Sequence, residues 1–280
     1  MVGEIELATR TQFRKSDLHK KSAFTLAEGA THVALCDKFC RVAFTLAEVL
    51  ITLGIIGVVV ALTIPSLVQK YKEKVTVNKV LSAYSLLSNA YSLVLDDDGT
   101  PDTWEDKSDT GLANMFAKKM NLGRICSTTD YDNCHTSSLT PYYDLTGFEE
   151  LGKFRRFGTA GQLQDMSVIF RLEAPACRGV VPYNWDNVTE SSPYWHMCGS
   201  ILVDINGSKL PNRYGVDLFV FIVTDRKIVP KGTPPNPYYS LWSSCNPKQT
   251  SWDGSINGDF CAAWIVKNRN MDYLYKTVNW

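Results

Sequence analysis

The stretch that decides the fold is VLITLGIIGVVVALTIPSLV, residues 49–68, which contains no charged side chain. As a helix this run is about 30 Å long, enough to cross the hydrocarbon core of a membrane. Secretory signals have a shorter apolar core and a small-x-small cleavage site, so we expect this run to stay with the mature protein. A buried core helix is the alternative, but the run is apolar on all faces and begins beside basic residues.

Basic residues precede the apolar run. Residues 1–43 are polar, show no helical or strand period, and carry Lys20, Lys21, Lys38 and Arg41. Positive charge before a membrane segment favours keeping that end of the chain in the cytoplasm. We therefore expect residues 1–43 to be a cytoplasmic leader and the chain to cross the membrane once.

The apolar pattern changes after Pro65. Residues 69–74 are polar, and apolar residues then recur at three- and four-residue steps, which is typical of one face of an amphipathic helix. The stripe ends at a cluster of helix breakers, residues 96–101. The sequence predicts one helix over residues 44–95, about 80 Å long, with a kink at Pro65 because proline lacks the backbone donor. The predicted stripe is Val77, Val80, Leu81, Tyr84, Leu87, Tyr91, Val94 and Leu95.

Residues 96–280 are predicted to form a globular head. A short helix is expected over residues 112–120, and strands over 166–172, 201–205 and 217–223. The middle strand leads into Asn206-Gly207, a strong turn pair. The tail, rich in Pro, Asn, Trp and Cys, is interpreted as loops. The predicted fold is α+β, with a long N-terminal helix whose amphipathic half, 69–95, packs on an antiparallel sheet with disulfide-stapled loops.

Cysteines after the apolar run indicate disulfides. Six of the eight cysteines follow the run, and an even set beyond a membrane segment is typical of an oxidising compartment. We expect sequential pairing because each consecutive pair encloses a modest loop. The alternative is a zinc site at Cys134, His135, His196 and Cys198, although no Cys-x-x-Cys spacing supports it. The expected pairs are Cys126 with Cys134, Cys177 with Cys198, and Cys245 with Cys261.

Charge and motif content argue against two functional classes. The formal net charge is +0, which argues against nucleic-acid binding through bulk positive charge. The basic group Lys153, Arg155 and Arg156 is interpreted as solvated surface. The sequence contains no Gly-x-Ser-x-Gly, His-Glu-x-x-His, phosphate-loop or Gly-x-Gly-x-x-Gly motif, so we expect no enzymatic activity.

An acidic residue lies at the edge of the apolar run, in AFTLAEVLITL, residues 43–53. A carboxylate in a membrane costs on the order of 3 kcal/mol at a helix centre and less near the interface, so Glu48 is a functional candidate that needs a partner. Cleavage before Phe44 would create an ammonium group one helical turn away. This group could pair with Glu48 of the same chain or of a neighbouring subunit.

The segment resembles the class III signal peptide of type IV prepilins and type II secretion pseudopilins. The resemblance covers residues 43–68: a small residue, Phe-Thr-Leu, an acidic residue, about twenty apolar residues and a proline. It implies that a prepilin peptidase cleaves between Ala43 and Phe44 and methylates the new amine. It also implies an anchor in the bacterial inner membrane with the head in the periplasm. Assembly through Glu48 and Pro65 with other pilin or pseudopilin subunits would follow at an inner-membrane platform.

Two features depart from the family pattern. The residue before the cleavage point is usually Gly and is Ala43 here, which keeps the side chain small. The leader also carries a near copy of the motif, AFTLAE at residues 23–28, which continues into Gly-Ala-Thr-His instead of an apolar run. We interpret residues 23–28 as a degenerate copy, and residues 1–43 as a leader removed on maturation.

A weaker resemblance lies in the head. The segment VDINGSKLPNRYGVDLF, residues 203–219, is similar to a pattern of many pseudopilin-like heads, some of which use calcium in a head loop. Asp204, Asn206 and Asp217 offer the oxygen ligands that calcium prefers. The alternative, which we favour, is an Asx-rich turn without a cation.

Three functional classes follow from these features. The leading one is a structural subunit, minor or specialised because the head is large, of a type IV pilus or type II secretion pseudopilus. The second is a membrane-anchored periplasmic or surface binding protein or adhesin, since the chain has seven tryptophans and exposed Trp binds sugars well. The third is a membrane-anchored periplasmic hydrolase. A flat Trp patch would favour binding, and a cleft with converging His and acidic groups would favour an enzyme.

Overall fold

The structure of the chain is a computed structural model. It describes residues 44–126, 141–148, 150–153, 158–178, 190–207, 209–235, 244–249, 251 and 256–278. The chain divides into two units, Met1–Ile55 and Ile56–Trp280. The described part of the first unit is residues 44–55, the start of helix α1, Leu46–Asp98. All other elements belong to the second unit.

Helix α1 buries one face in its second half. The buried residues follow the three- and four-residue spacing of the predicted stripe, and Leu81, Tyr84 and Leu95 are half-buried against the same core. The helix continues through Pro65 and ends at Asp98, three residues later than predicted. Gly99 follows with φ 76°, a conformation that glycine adopts without strain. The buried residues of α1 are Val77, Val80, Ala83, Leu87, Ala90, Tyr91 and Val94.

The strands of the described residues form two antiparallel sheets. The larger has six strands in the order β1-β4-β5-β6-β7-β8, and the smaller pairs β2 with β3. Strand 166–172 is confirmed at both ends, and the other two predicted strands overlap β6 and β7. The strands are β1 Ile125–Cys126, β2 Pro141–Tyr143, β3 Glu150–Lys153, β4 Thr159–Leu163, β5 Met166–Leu172, β6 Met197–Asp204, β7 Leu218–Thr224 and β8 Ile228–Pro230.

Both faces of the larger sheet are covered. Successive side chains of a strand point to opposite faces, so Phe219 and Phe221 of β7 join the core that contains α1, while Val220 joins a second cluster on the other face. Tyr84 of α1 stacks on Phe221 with ring centroids 5.7 Å apart. The Tyr91 hydroxyl donates to the backbone oxygen of Thr224 at 2.6 Å. The amphipathic half of α1 is therefore an integral part of the head.

The predicted short helix is present as α2, Asp109–Lys119. It begins three residues earlier than expected because Ser108 caps it, accepting a hydrogen bond from the Gly111 amide at 3.0 Å. Leu112 and Phe116 are fully buried, and Phe116 contacts the ring of Phe170 at 5.2 Å between centroids. Helix α2 thus closes the same core as α1.

The expectation that the tail forms only loops is wrong. Residues Cys261–Asn268 form helix α3, which buries Ala262 and Ile265 in the core. Arg269 ends the helix in a left-handed conformation, with φ 56°. An apolar segment with this spacing forms a helix once a core is available to cover one face. The described residues therefore make an α+β fold with a long N-terminal apolar helix and an antiparallel sheet.

Candidate functional site

The first half of α1 is uncovered on every face. All residues from 44 to 72 are exposed, including Leu50 at 61 % and Leu62 at 74 %. Among the described residues this is the one helix that is long and apolar enough to cross a membrane. Phe44, the residue after the predicted cleavage point, is 77 % exposed, while Ala43 lies outside the described residues.

Glu48 caps the start of α1. Its carboxylate accepts hydrogen bonds from the Thr45 amide at 2.9 Å and from the Thr45 hydroxyl at 2.8 Å. In return the Glu48 amide donates to the Thr45 hydroxyl oxygen at 3.3 Å. This reciprocal pair is a capping box, which satisfies amide groups that the first helical turn leaves without a partner. In the uncut chain Glu48 thus has a local partner, which the sequence analysis did not identify.

The C-terminal segment contacts α1 just after Pro65. The Gln69 side-chain amide donates to the Tyr275 hydroxyl at 2.7 Å, and that hydroxyl donates to Glu73. A cavity of about 350 Å³ beside this contact is lined by Pro65 together with Met271 and Leu274. The head therefore meets the helix directly after Pro65. A bend of the helix axis at this residue stays a prediction.

Two of the three expected disulfides are confirmed. Cys177 is bonded to Cys198, and Cys245 to Cys261. Cys126 is also in a disulfide, but Cys134 lies outside the described residues, so their pairing stays a prediction. The Cys177–Cys198 bridge ties strand β6 to the segment after β5, and the Cys245–Cys261 bridge ties α3 to the segment before it.

The zinc alternative is wrong at Cys198. Its sulfur is bonded to Cys177, and zinc requires a thiolate ligand. His196 instead lies 3.2 Å from Asp225, measured from Nδ1 to Oδ2. His135 lies outside the described residues. Arg155 and Arg156 of the predicted basic group also lie outside the described residues.

The three candidate calcium ligands lie together in the connection from β6 to β7. The Asn206 side-chain amide donates to Asp217 Oδ2 at 2.9 Å, and the Asn206 backbone amide donates to Asp204 Oδ1 at 3.1 Å. Gly207, with φ 67°, makes the expected turn. However, the two strands are joined by residues 205–217 rather than by a tight hairpin, because Asp204 pairs with Leu218.

Asp217 holds this connection through hydrogen bonds. Its carboxylate accepts from the backbone amides of Asn212 at 2.9 Å and Arg213 at 2.5 Å, besides the Asn206 side chain. Burial raises the pKa of Asp217 to about 7, and the neighbouring Asp204 adds to this increase, while the three donors oppose it. Within the described residues no group of three or more His, Cys, Asp or Glu side chains is placed to hold a metal. Calcium binding therefore stays a prediction.

A cleft in the head brings together residues from distant parts of the sequence. Its volume is about 590 Å³, and its lining includes Trp195, His196 and Asp225. The cleft therefore brings a histidine and acidic groups together, and Trp195 lies beside them. The sequence analysis named His196 only as a zinc ligand and missed Trp195 and Asp225. The expected lack of enzymatic activity stays a prediction.

Comparison of the chain with protein-family models, curated proteins and solved structures found no match to any of them.

Proposed function

We propose that this chain is a prepilin-like protein, a minor or specialised subunit of a type IV pilus or type II secretion pseudopilus. Its leader, residues 1–43, is removed by a prepilin peptidase that cleaves between Ala43 and Phe44 and methylates Phe44. The mature chain is anchored in the bacterial inner membrane by residues 44–68, with its head in the periplasm. It then enters a periplasmic or cell-surface filament.

The contrast within α1 carries this proposal. Residues 44–72 are exposed on all faces, whereas the same helix is built into the head core from Val77 to Val94. Removing one Leu, Ile or Val side chain from water contributes about 1.5–3 kcal/mol, so an apolar half of this length is stable only when something outside the head covers it. A bilayer covers it before assembly, and the apolar helices of neighbouring subunits cover it in a filament.

The capping box supports a role for Glu48 in assembly. A carboxylate has about four acceptor sites, and both hydrogen bonds that Thr45 donates to the Glu48 side chain end on the same oxygen, Oε2. The second oxygen is available to the ammonium group that cleavage would create at Phe44, in the same chain or in the next subunit. Thr45 would then orient Glu48 for this ion pair, which sets the stagger between subunits.

The partners follow from this pathway. The membrane-embedded peptidase and N-methyltransferase acts on residues 43–44, an inner-membrane assembly platform receives the processed subunit, and other pilin or pseudopilin subunits pack around residues 44–68. No nucleic acid is expected as a partner, because the net charge is +0.

The test is the intact mass and N-terminal sequence of the membrane-associated chain, produced with and without a prepilin peptidase. We expect a chain that begins at N-methyl-Phe44 only when the peptidase is present. Ala43→Gly should be processed at least as well, and Ala43→Leu should be blocked because the site requires a small residue. Ala23→Leu is the matched control in the degenerate copy and should change nothing. An uncut chain, or one cut near Ala23, would favour a membrane-anchored binding protein instead.

A further inference from the structure

The head cleft has the size and composition of a small-ligand site. Its volume of about 590 Å³ lies in the range of ligand pockets, roughly 300–1,000 Å³. Trp195 lines it and is 39 % exposed, although a side chain of this size is usually largely buried. An indole ring that faces an open cleft offers a flat apolar surface for stacking.

Asp225 offers part of its carboxylate to the cleft. Its side chain is 27 % exposed, and Oδ2 lies 3.2 Å from His196 Nδ1 and 3.7 Å from Arg226 Nε. Because Oδ1 is buried, Oδ2 is the oxygen that a ligand can reach. A carboxylate oxygen has about two acceptor positions, so Oδ2 can accept a further hydrogen bond from a ligand hydroxyl or ammonium group.

The charge of the lining selects the class of ligand. Among the described residues that line the cleft, three contribute carboxylates, namely Asp102, Glu190 and Asp225, against the guanidinium of Arg178 and the imidazole of His196. The guanidinium of Arg226 lies 3.7 Å from Asp225. Carboxylates accept hydrogen bonds and repel anions, so hydroxyl and ammonium groups are favoured and acidic ligands are disfavoured. A ring with one apolar face and several donors matches this lining together with Trp195.

The cleft is built on a constrained frame. The Cys177–Cys198 disulfide joins two of its walls, and the amides of Glu173 and Ala174 donate to the Cys198 oxygen at 2.9 Å and 2.7 Å. The Asp225 amide donates to the His196 oxygen at 3.2 Å, which fixes the two residues side by side. A site whose side chains are held before binding loses less entropy when the ligand arrives.

We propose that this cleft binds a neutral or amine-bearing saccharide, whose ring stacks on Trp195 and whose hydroxyl or ammonium group donates to Oδ2 of Asp225. The saccharide site is independent of processing and filament assembly. It gives the large head a recognition function beyond its structural role.

The experiment is isothermal titration calorimetry of the full chain in polyoxyethylene detergent micelles, since glycoside detergents carry sugars themselves. The probes are a glucosamine oligomer, a glucose oligomer and a galacturonate oligomer of equal length. We expect binding of the first two, tighter for the glucosamine oligomer because its ammonium groups face carboxylates, and weaker binding of the acidic oligomer. Trp195→Ala should weaken binding about tenfold, within the range of aromatic contact energies.

Matched variants separate recognition from folding. Phe148 is 92 % exposed and does not line the cleft, so Phe148→Ala should leave binding unchanged. Asp225→Asn should abolish the preference for the glucosamine oligomer over the glucose oligomer. Glu190→Gln preserves the shape of the side chain and should weaken binding of the glucosamine oligomer. This variant tests the site even if Trp195→Ala lowers the melting temperature of the head. The proposal is overturned if no probe binds, if all these cleft variants bind like the unmodified chain, or if the galacturonate oligomer binds most tightly.

Discussion

The two halves of helix α1 share a backbone conformation and differ in everything that surrounds it. Residues 49–68 are apolar around the whole helix and are exposed on every face. From Val77 to Val94 the helix is apolar along one stripe, and that stripe is buried. A sheet covers only one side of a helix, so a helix that is apolar all round cannot be satisfied by the head. The distribution of apolar residues, rather than their number, decides which half joins the core.

The two halves therefore depend on different partners. The amphipathic half is stabilised by contacts within the chain, such as Tyr84 on Phe221 and Tyr91 on Thr224. The apolar half depends on a surface that the chain does not supply. Substitutions at matched positions should reveal this division in the free energy of unfolding of the head.

The largest expected effect comes from truncating leucine in each half. Leu87 is fully buried, whereas Leu62 is 74 % exposed. Leu87→Ala should lower the free energy of unfolding of the head by about 2–5 kcal/mol, because it leaves a cavity. Leu62→Ala should leave it unchanged. Both are measured by denaturant unfolding of the full chain in detergent, and equal effects would contradict the division between the halves.

A charge introduced into the apolar half should impair membrane insertion and leave the stability of the head unchanged. Val59→Arg should reduce membrane insertion, since arginine at a helix centre costs about 2.5–3.5 kcal/mol. The melting temperature of the head should not change, because Val59 is 54 % exposed and outside the core. Val59→Ala is the matched control and should insert. The measurement is the glycosylation or protease protection of the head, and normal insertion of the arginine variant would contradict a membrane role.

Sequence periodicity was sufficient where contacts are local or repetitive. The stripe from Val77 to Leu95, the strand 166–172 and two cysteine pairs were predicted from spacing alone, and the structure confirms them. The stripe missed Ala83 and Ala90, because alanine is only weakly apolar and its burial depends on how closely the helix approaches the sheet.

Features that depend on distant segments were not predictable in this way. Helix α3 follows a tail full of loop-forming residues, and it forms because a core is available to cover Ala262 and Ile265. The cleft combines Asp102, Trp195 and Asp225, which no local spacing connects. His196 directly precedes β6 and Asp225 directly follows β7, so their contact could be predicted only if the order of the strands in the sheet were known.

A third contrast concerns pH, because residues 49–68 have no titratable side chain while the head has a buried one. The pKa of Asp217 is raised from its ordinary value of 3.8 to about 7 in the folded head. Between these two pH values the folded head keeps a proton on Asp217 that the unfolded chain has released. The contribution of this proton to the free energy of unfolding is complete below pH 3.8 and is lost as the pH rises through 7. The free energy of unfolding should fall by on the order of 4 kcal/mol between these limits, and Asp217→Asn should remove this decrease.

The matched control for this pH dependence is Asp165→Asn. Lys79 lowers the pKa of Asp165, so this carboxylate stabilises the head above its ordinary pKa and does so less as the pH falls. It cannot cause a loss of stability on the alkaline side. Melting temperatures across pH 4–8 distinguish the two variants. A calcium-dependent increase in melting temperature at pH 8 that disappears in Asp217→Asn would show that the turn interpretation is wrong and that a cation replaces the proton.

The smallest expected effect lies at the boundary where the apolar half begins. Thr45→Val preserves the shape of the side chain but removes the hydroxyl that exchanges hydrogen bonds with Glu48. Loss of a cap costs about 1 kcal/mol, so amide hydrogen exchange should accelerate in the first turns of α1 and remain unchanged from Val77 to Val94. Thr45→Ser keeps the hydroxyl and should exchange like the unmodified chain. Because the apolar half receives no support from the head core, a cap at its own end is the local device available to hold it. Equal exchange in all three chains would mean that the capping box does not stabilise this end.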